Sequence, residues 1–138
     1  MARQHDEKAI RAKIDESIRT QQSTFSDPSK TPEERGAAVA AHYAPEAKLY
    51  PANKNGQGLY TPESIKANYQ KDATVFSKVE LLVDCVFVSG ASDRAVAFGS
   101  FTLTPYKQGG SSVSGRFAQL YKLPESGGAA MILIDTYN

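Results

Sequence analysis

The sequence predicts an α+β domain in which three helices pack on a strongly curved, mainly antiparallel sheet that encloses a cone-shaped cavity. Three observations carry this. The hydrophobic period changes part-way: helical spacing prevails up to Phe76, and alternation takes over after it. The two Thr-Pro-Glu starts at Thr31 and Thr61 are helix-initiation signals, with a capping threonine followed by proline at the first helical position. Finally, KVELLVDCVFVSG, RAVAFGSFTLT, SVSGRFAQLYKLP and AAMILIDTYN are rich in β-branched and aromatic residues and are separated by the turn compositions SGASD, YKQGG and ESGG, the pattern of an antiparallel meander. A chain of 138 residues buries about 70% of the surface its unfolded form exposes, so residues 1–138 are expected to fold as one domain without metal or disulfide staples.

Taken in order, residues 5 to 23 place Ile10, Ile14 and Ile18 one turn apart among charges, a narrow apolar stripe on a solvated helix. SDPSK breaks it. A second helix follows from Thr31, with Glu34 completing a capping box, and carries Val39 and Tyr43 toward the core. Pro45 stops this helix, because proline disfavours helical geometry in the residue before it. AKLYP reads as a short strand and NKNGQG as a glycine-tolerant loop or hairpin turn. From Thr61 a third helix sets Ile65, Tyr69, Ala73 and Phe76 on one face, and the four-stranded meander completes the chain.

Composition removes several functions. A balance of 16 Lys+Arg against 15 Asp+Glu, net +1, gives no electrostatic footprint for nucleic acid. The longest apolar run, Ala129 to Ile134, is far short of the ~20 residues of a membrane helix, and the charged start MARQHDEKAIRAK is not a secretion signal. The single cysteine, Cys85, fits a reducing compartment, so the expected location is cytoplasmic. Two histidines and one cysteine without H-x-x-x-H or C-x-x-C spacing predict no zinc site. The glycine pairs lack the strand-G-x-G-x-x-G-helix context, and GGSSVSG is not a G-x-S-x-G elbow, so neither a nucleotide cofactor nor an α/β-hydrolase is expected.

Alternation assigns faces. One set contains Leu81, Val83, Cys85 and Phe87, then Phe101 and Leu103, then Phe117, Gln119 and Tyr121, and finally Leu133, Asp135 and Tyr137. The other contains Leu82, Asp84, Val86 and Val88, with Phe98, Leu120, Ile132 and Ile134. If residues 124 to 128 form the last turn, Phe117 lies opposite Asp135. Helices cover one face; the apolar character of the second predicts that it meets another copy of the chain, a homodimer through the outer sheet face.

The order of elements, the segments HYAPEAKLYPANKNGQGLYTPESI and GRFAQLYKL, and the ending ILIDTYN resemble the nuclear-transport-factor-2-like superfamily in its SnoaL-like branch. The likeness covers almost all of residues 5 to 138. Its most specific parts are Ala47, Leu49 and Pro51 of the first strand and the closing Asp135, Tyr137 and Asn138. It implies a cone-shaped cavity between sheet and helices, commonly in a homodimer, but no single function: relatives include isomerases, cyclases, dehydratases, epoxide hydrolases and association domains. In ketosteroid-isomerase-like members an aspartate general base precedes the proline of the first strand. Tyr50 stands there in this chain and, with a reference pKa near 10, is a poor base but a good hydrogen-bond donor.

Asp135 has two readings. It accepts structural hydrogen bonds at the end of the sheet, or it faces the cavity, where burial raises its pKa and lets it exchange a proton with a carbonyl- or alcohol-bearing substrate. In the second, Tyr50, Tyr69 or Tyr137 donates to the developing oxygen anion, and Cys85, Phe87, Phe101, Phe117, Gln119 and Leu133 help to line the cavity. Arg116 has the opposite parity to Asp135, which disfavours an ion pair between them. Three functions follow: a cofactor-independent isomerase, cyclase or lyase; a non-catalytic binder of a small apolar molecule; and a homo-oligomeric assembly module whose cavity is filled by its own side chains. The cavity readings require at least ~300 Å³ of space.

Overall fold

A computed structural model describes residues 7–51, 57–124 and 127–138. Most of NKNGQG, part of ESGG, and His5 fall outside these residues. The elements are α1 (Glu7–Phe25), α2 (Pro32–Ala40), β1 (Tyr43–Tyr50), α3 (Pro62–Val75), β2 (Phe76–Val88), β3 (Arg94–Pro105), β4 (Val113–Lys122) and β5 (Met131–Tyr137). They form one sheet in the order β1-β5-β4-β3-β2, in which β1 runs parallel to β5 and the other pairs are antiparallel. Three helices on a mainly antiparallel sheet are thus what the period change foretold. Among the described residues no helix is long and apolar enough to cross a membrane.

The helices form for the reasons read from the sequence. Ile10, Ile14 and Ile18 are buried along α1, and Gln21 and Phe25 extend their stripe. At α2, Thr31 Oγ1 accepts from the Glu34 amide at 3.1 Å while Glu34 accepts from the Thr31 amide at 3.0 Å. The same box closes α3 between Thr61 and Ser64. Gly36 lets α2 lie against α3, since a Cβ there would meet the Gln70 backbone at 2.4 Å. α2 ends at Ala40, so Tyr43 does not ride on a helix as expected; it opens β1, which starts earlier than AKLYP. Pro45 excludes helical geometry at Ala44, and the chain turns at Ala41 and His42 instead.

Arg35 ties three helices together, with no carboxylate among the described residues in ion-pair contact with it. It is 1% exposed, and its guanidinium donates to the Phe25, Ala73, Phe76 and Ser77 carbonyls and to the Tyr106 hydroxyl. Those bonds use all five N–H groups of an arginine. Phe25 ends α1 and Ala73 lies in the last turn of α3, so the cation satisfies C-terminal carbonyls that no helical amide reaches.

Two bulges overturn part of the face assignment. In β2, Val83 pairs with Gly99 and Cys85 with Phe98, so Asp84 is the extra residue and parity flips beyond it. Val86 therefore turns inward and is buried, whereas Cys85 is exposed and Phe87 is 60% exposed on the outer face. In β5, Leu120 pairs with Ile134 but Tyr121 with Ile132, leaving Leu133 unpaired and placing Ile132 in the core. Phe117 faces Tyr137, and Gln119 faces Asp135, two residues from the expected register but with parity kept. Gly99 is required by packing: a Cβ there would stand 2.0 Å from the Leu82 carbonyl and 2.7 Å from the Phe117 ring.

Candidate functional site

The inner face of the sheet and the helices enclose a cavity of about 210 Å³, smaller than the ~300 Å³ the sequence argument asked for. Its walls are apolar: Phe25 and Val39 from the helices, Leu81 and Val79 from β2, Phe101 and Leu103 from β3. Pro51, Asn68, Asp72 and Val113 also border it. Tyr69 and Tyr137 border it too, and their hydroxyls lead to Asp135.

Asp135 is 0% exposed. Its Oδ2 accepts from the Tyr43 hydroxyl and, at 2.9 Å, from the Gln119 side-chain amide. Tyr43 also touches the Tyr69 hydroxyl, which lies 3.4 Å from that of Tyr137. Since the one proton of Tyr43 serves Asp135, Tyr69 donates to Tyr43. On the other side Gln119 donates to Gln21 Oε1 at 3.0 Å, Gln21 donates to Tyr121 at 2.8 Å, and Tyr121 returns its proton to Gln119 Oε1 at 2.5 Å. This closed ring fixes the Gln119 amide so that its N–H faces the carboxylate. Among the described residues Asp135 Oδ1 has no hydrogen-bond partner at ordinary distance, although Tyr137 acts weakly on the same carboxyl.

These surroundings set the titration. Burial pushes the Asp135 carboxyl up to about 7, against opposing pulls from Tyr43, Gln119 and, more weakly, Tyr137. Burial first, and the adjacent carboxylate second, hold Tyr43, Tyr69 and Tyr137 well above the usual phenol range, so all three stay protonated. Near neutral pH the group therefore has one mobile charge, on Asp135, surrounded by fixed donors. With the carboxyl ionised, the Tyr43 proton points at it and the Tyr69 proton at Tyr43; once it is protonated, that demand ends.

Of the residues singled out from the sequence, the fold brings together Asp135, Tyr137, Tyr69, Phe101, Phe117 and Gln119. Phe101 stacks edge-on to Tyr137 at 5.0 Å between centroids, and Phe117 lies against the same ring at 6.3 Å. Tyr50 is elsewhere: Leu49 points inward, so its neighbour points outward and meets Tyr60 edge-on at 6.0 Å. Cys85 and Phe87 are excluded by the Asp84 bulge, and Leu133 by its own bulge in β5. Arg116 pairs with Asp84, both exposed on the outer face, in keeping with its parity. Among the described residues, no group of three His, Cys, Asp or Glu side chains is placed to hold a metal ion.

Sequence reasoning missed Tyr43 and Gln21. Gln21 is a polar residue on the Ile10-Ile14-Ile18 stripe, a signal that was present, whereas exposed Pro45 and Glu46 and a register shift between Tyr43 and Lys48 separate Tyr43 from the alternation of Ala47 and Leu49, so periodicity does not place it.

No protein-family model and no curated protein matches the sequence. Solved structures do match its fold. A calcium/calmodulin-dependent protein kinase II association domain from Xanthomonas campestris, described as putative, superposes with a TM-score of 0.67 at 21% identity, over 94% of this chain and 84% of that one. A nuclear-transport-factor-2-like protein of unknown function from Shewanella oneidensis gives 0.69 at 16%, over 91% and 96%. A ketosteroid isomerase-like protein from Erwinia carotovora atroseptica gives 0.66 at 12%, over 96% and 94%. Three helices packed on a five-stranded mixed sheet thus agree with the resemblance read from the sequence, and the chain has the nuclear-transport-factor-2-like fold.

Proposed function

We propose that this chain binds a compact apolar molecule in its cavity and that Asp135 serves it as a proton acceptor and donor, as in an isomerase, cyclase or lyase acting on a carbonyl- or alcohol-bearing substrate. One observation carries the reading: an apolar cavity borders tyrosine hydroxyls that lead to a fully buried carboxylate. Asp135 does not itself border the cavity, so the proton moves through hydroxyls. A substrate O–H gives its proton to Tyr69 as Tyr69 passes its own to Tyr43 and Tyr43 passes its own to Asp135; the reverse sequence reprotonates the product. A pKa near the working pH suits both directions. The reading calls for no cofactor.

A thermal-shift screen of small alcohols and carbonyl compounds tests it. Ligand that binds only the folded state adds about 2.7 kcal/mol of stability at a hundredfold excess over its dissociation constant. A concentration-dependent rise that weakens in Asp135→Asn is expected. A flat response across a chemically broad set would refute the cavity reading.

The alternative, a non-catalytic homo-oligomeric binding or assembly module, has its own supporting observation. Leu82 (64% exposed) and Phe87 stand on the outer sheet face with Phe98 and Ile134, an apolar surface of the kind that self-associating sheets cover. A homodimer through this face is compatible with either function.

A further inference from the structure

The hydroxyls around Asp135 close a circuit. Tyr43 from β1 meets Asp135 on one side and Tyr69 from α3 on the other, Tyr69 lies 3.4 Å from Tyr137, and Tyr137 acts weakly back on the carboxyl. Tyr69 and Tyr137 also border the cavity. The other neighbours are fixed. Gln119 from β4 donates to Asp135 at 2.9 Å and is itself held by Gln21 from α1 and by Tyr121. Burial keeps all four tyrosines protonated, and the charge of Asp72 on α3 acts on Tyr69 in the same sense as that of Asp135. Asp135, at about 7, is the member of the circuit that changes charge near neutral pH.

Counting protons gives the circuit two polarities. With Asp135 ionised, Tyr43 and Tyr137 turn their protons toward the charge and Tyr69 gives its own to Tyr43. The contact between Tyr69 and Tyr137 then holds no proton, and two oxygen atoms face each other across 3.4 Å with lone pairs alone. A ligand O–H that donates there relieves the opposition. With Asp135 neutral there is one proton more. On Oδ2 it serves Tyr43, which turns Tyr43 toward Tyr69 and releases the Tyr69 proton; on Oδ1 it serves Tyr137 and releases the Tyr137 proton. Within the circuit the released proton finds only a long contact, so a ligand carbonyl that accepts it at ordinary distance replaces a poor bond by a good one.

We propose that the cavity selects its ligand by hydrogen-bond polarity, taking alcohols, which donate, when Asp135 is charged, and ketones, which only accept, when it is neutral. This inference rests on the cavity reading of the preceding subsection and names the ligand chemistry of that same site.

Cyclohexanol and cyclohexanone, matched in size, test it, with toluene as a ligand that lacks a polar group. Affinities are measured by ligand-observed NMR at pH 5.5 and 8.5, and the Asp135 carboxyl is titrated by ¹³C NMR with each ligand at saturation. From the higher pH to the lower, the ratio of cyclohexanol to cyclohexanone affinity is expected to fall at least about tenfold, while toluene changes by less than about twofold. By linkage the alcohol lowers the Asp135 midpoint and the ketone raises it. In Asp135→Asn the ratio should no longer depend on pH, and toluene binding checks that the variant is folded; the opposed midpoint shifts, read in the unmutated protein, decide the matter without it. If toluene alone binds, if the ratio is the same at both pH values or still changes in Asp135→Asn, or if both ligands move the midpoint in one direction, the inference is overturned and the cavity reading stands. If none of the three binds, both fail.

Discussion

Replacing Asp135 by asparagine should stabilise this protein at alkaline pH, and the size of the gain follows from the site. Burial moves the carboxyl from 3.8 to about 7, and at 1.36 kcal/mol for each pH unit this interval amounts to about 4 kcal/mol. The sign follows from which state holds the proton. Between these values the folded protein keeps a proton that the unfolded chain has lost, so stability is fully present below pH 4, falls as pH rises, and has lost this amount above pH 7. Asparagine keeps an oxygen for Tyr43 and Gln119 but places an amide where Oδ1 has no partner at ordinary distance among the described residues, which costs about 1–2 kcal/mol. The variant should therefore exceed the wild type by about 2–3 kcal/mol at pH 8, and the difference should move by about 3 kcal/mol toward the wild type at pH 4.5. Urea unfolding of both proteins at several pH values measures it, and every other titrating group cancels in the difference provided the variant leaves it unperturbed. Parallel curves from pH 4.5 to 8 would refute the claim that Asp135 is a desolvated, near-neutral carboxyl.

Further predictions follow from the same geometry. Tyr43→Phe removes a donor to the charged carboxylate, so the Asp135 midpoint should rise above about 7 and stability at pH 8 should fall by about 1–2 kcal/mol, both readable by NMR titration and denaturation. Arg35→Met should cost about 3 kcal/mol or more, because it strands buried carbonyls at the ends of α1 and α3; urea unfolding checks it. Val86→Asp buries a charge in the core and should prevent folding, while Ile134→Asp, on the outer face, should leave a folded chain and dissociate a sheet-face dimer. Circular dichroism and sedimentation separate the two outcomes.

Much of this architecture was legible because it rests on residues whose chemistry is local. The threonine-proline starts of α2 and α3, the isoleucine stripe of α1 and the inward parity of Phe101, Phe117, Gln119 and Asp135 each follow from side chains a few positions apart. What escaped depends on pairing between strands. A bulge is a single unpaired residue that side-chain type does not announce, since Leu133 is one aliphatic residue among others and Asp84, though charged, sits where plain alternation already places an outward residue; yet the Asp84 bulge turned Val86 inward and sent Cys85 and Phe87 outward, and the Leu133 bulge put Ile132 in the core. Arg35 was equally hidden, since four of its five partners are backbone carbonyls, which carry no sequence identity. Asp135 was found by parity, but Tyr43 was hidden behind a helix that Pro45 ends sooner than expected.

The most direct test of the account is the titration of the Asp135 carboxyl carbon itself by ¹³C NMR, assigned by its loss in Asp135→Asn. A midpoint near 7 that moves when the cavity is filled with benzyl alcohol is the predicted result. A midpoint near 4, unaffected by any cavity ligand, would mean that Asp135 is solvated and structural, and would contradict the functional reading.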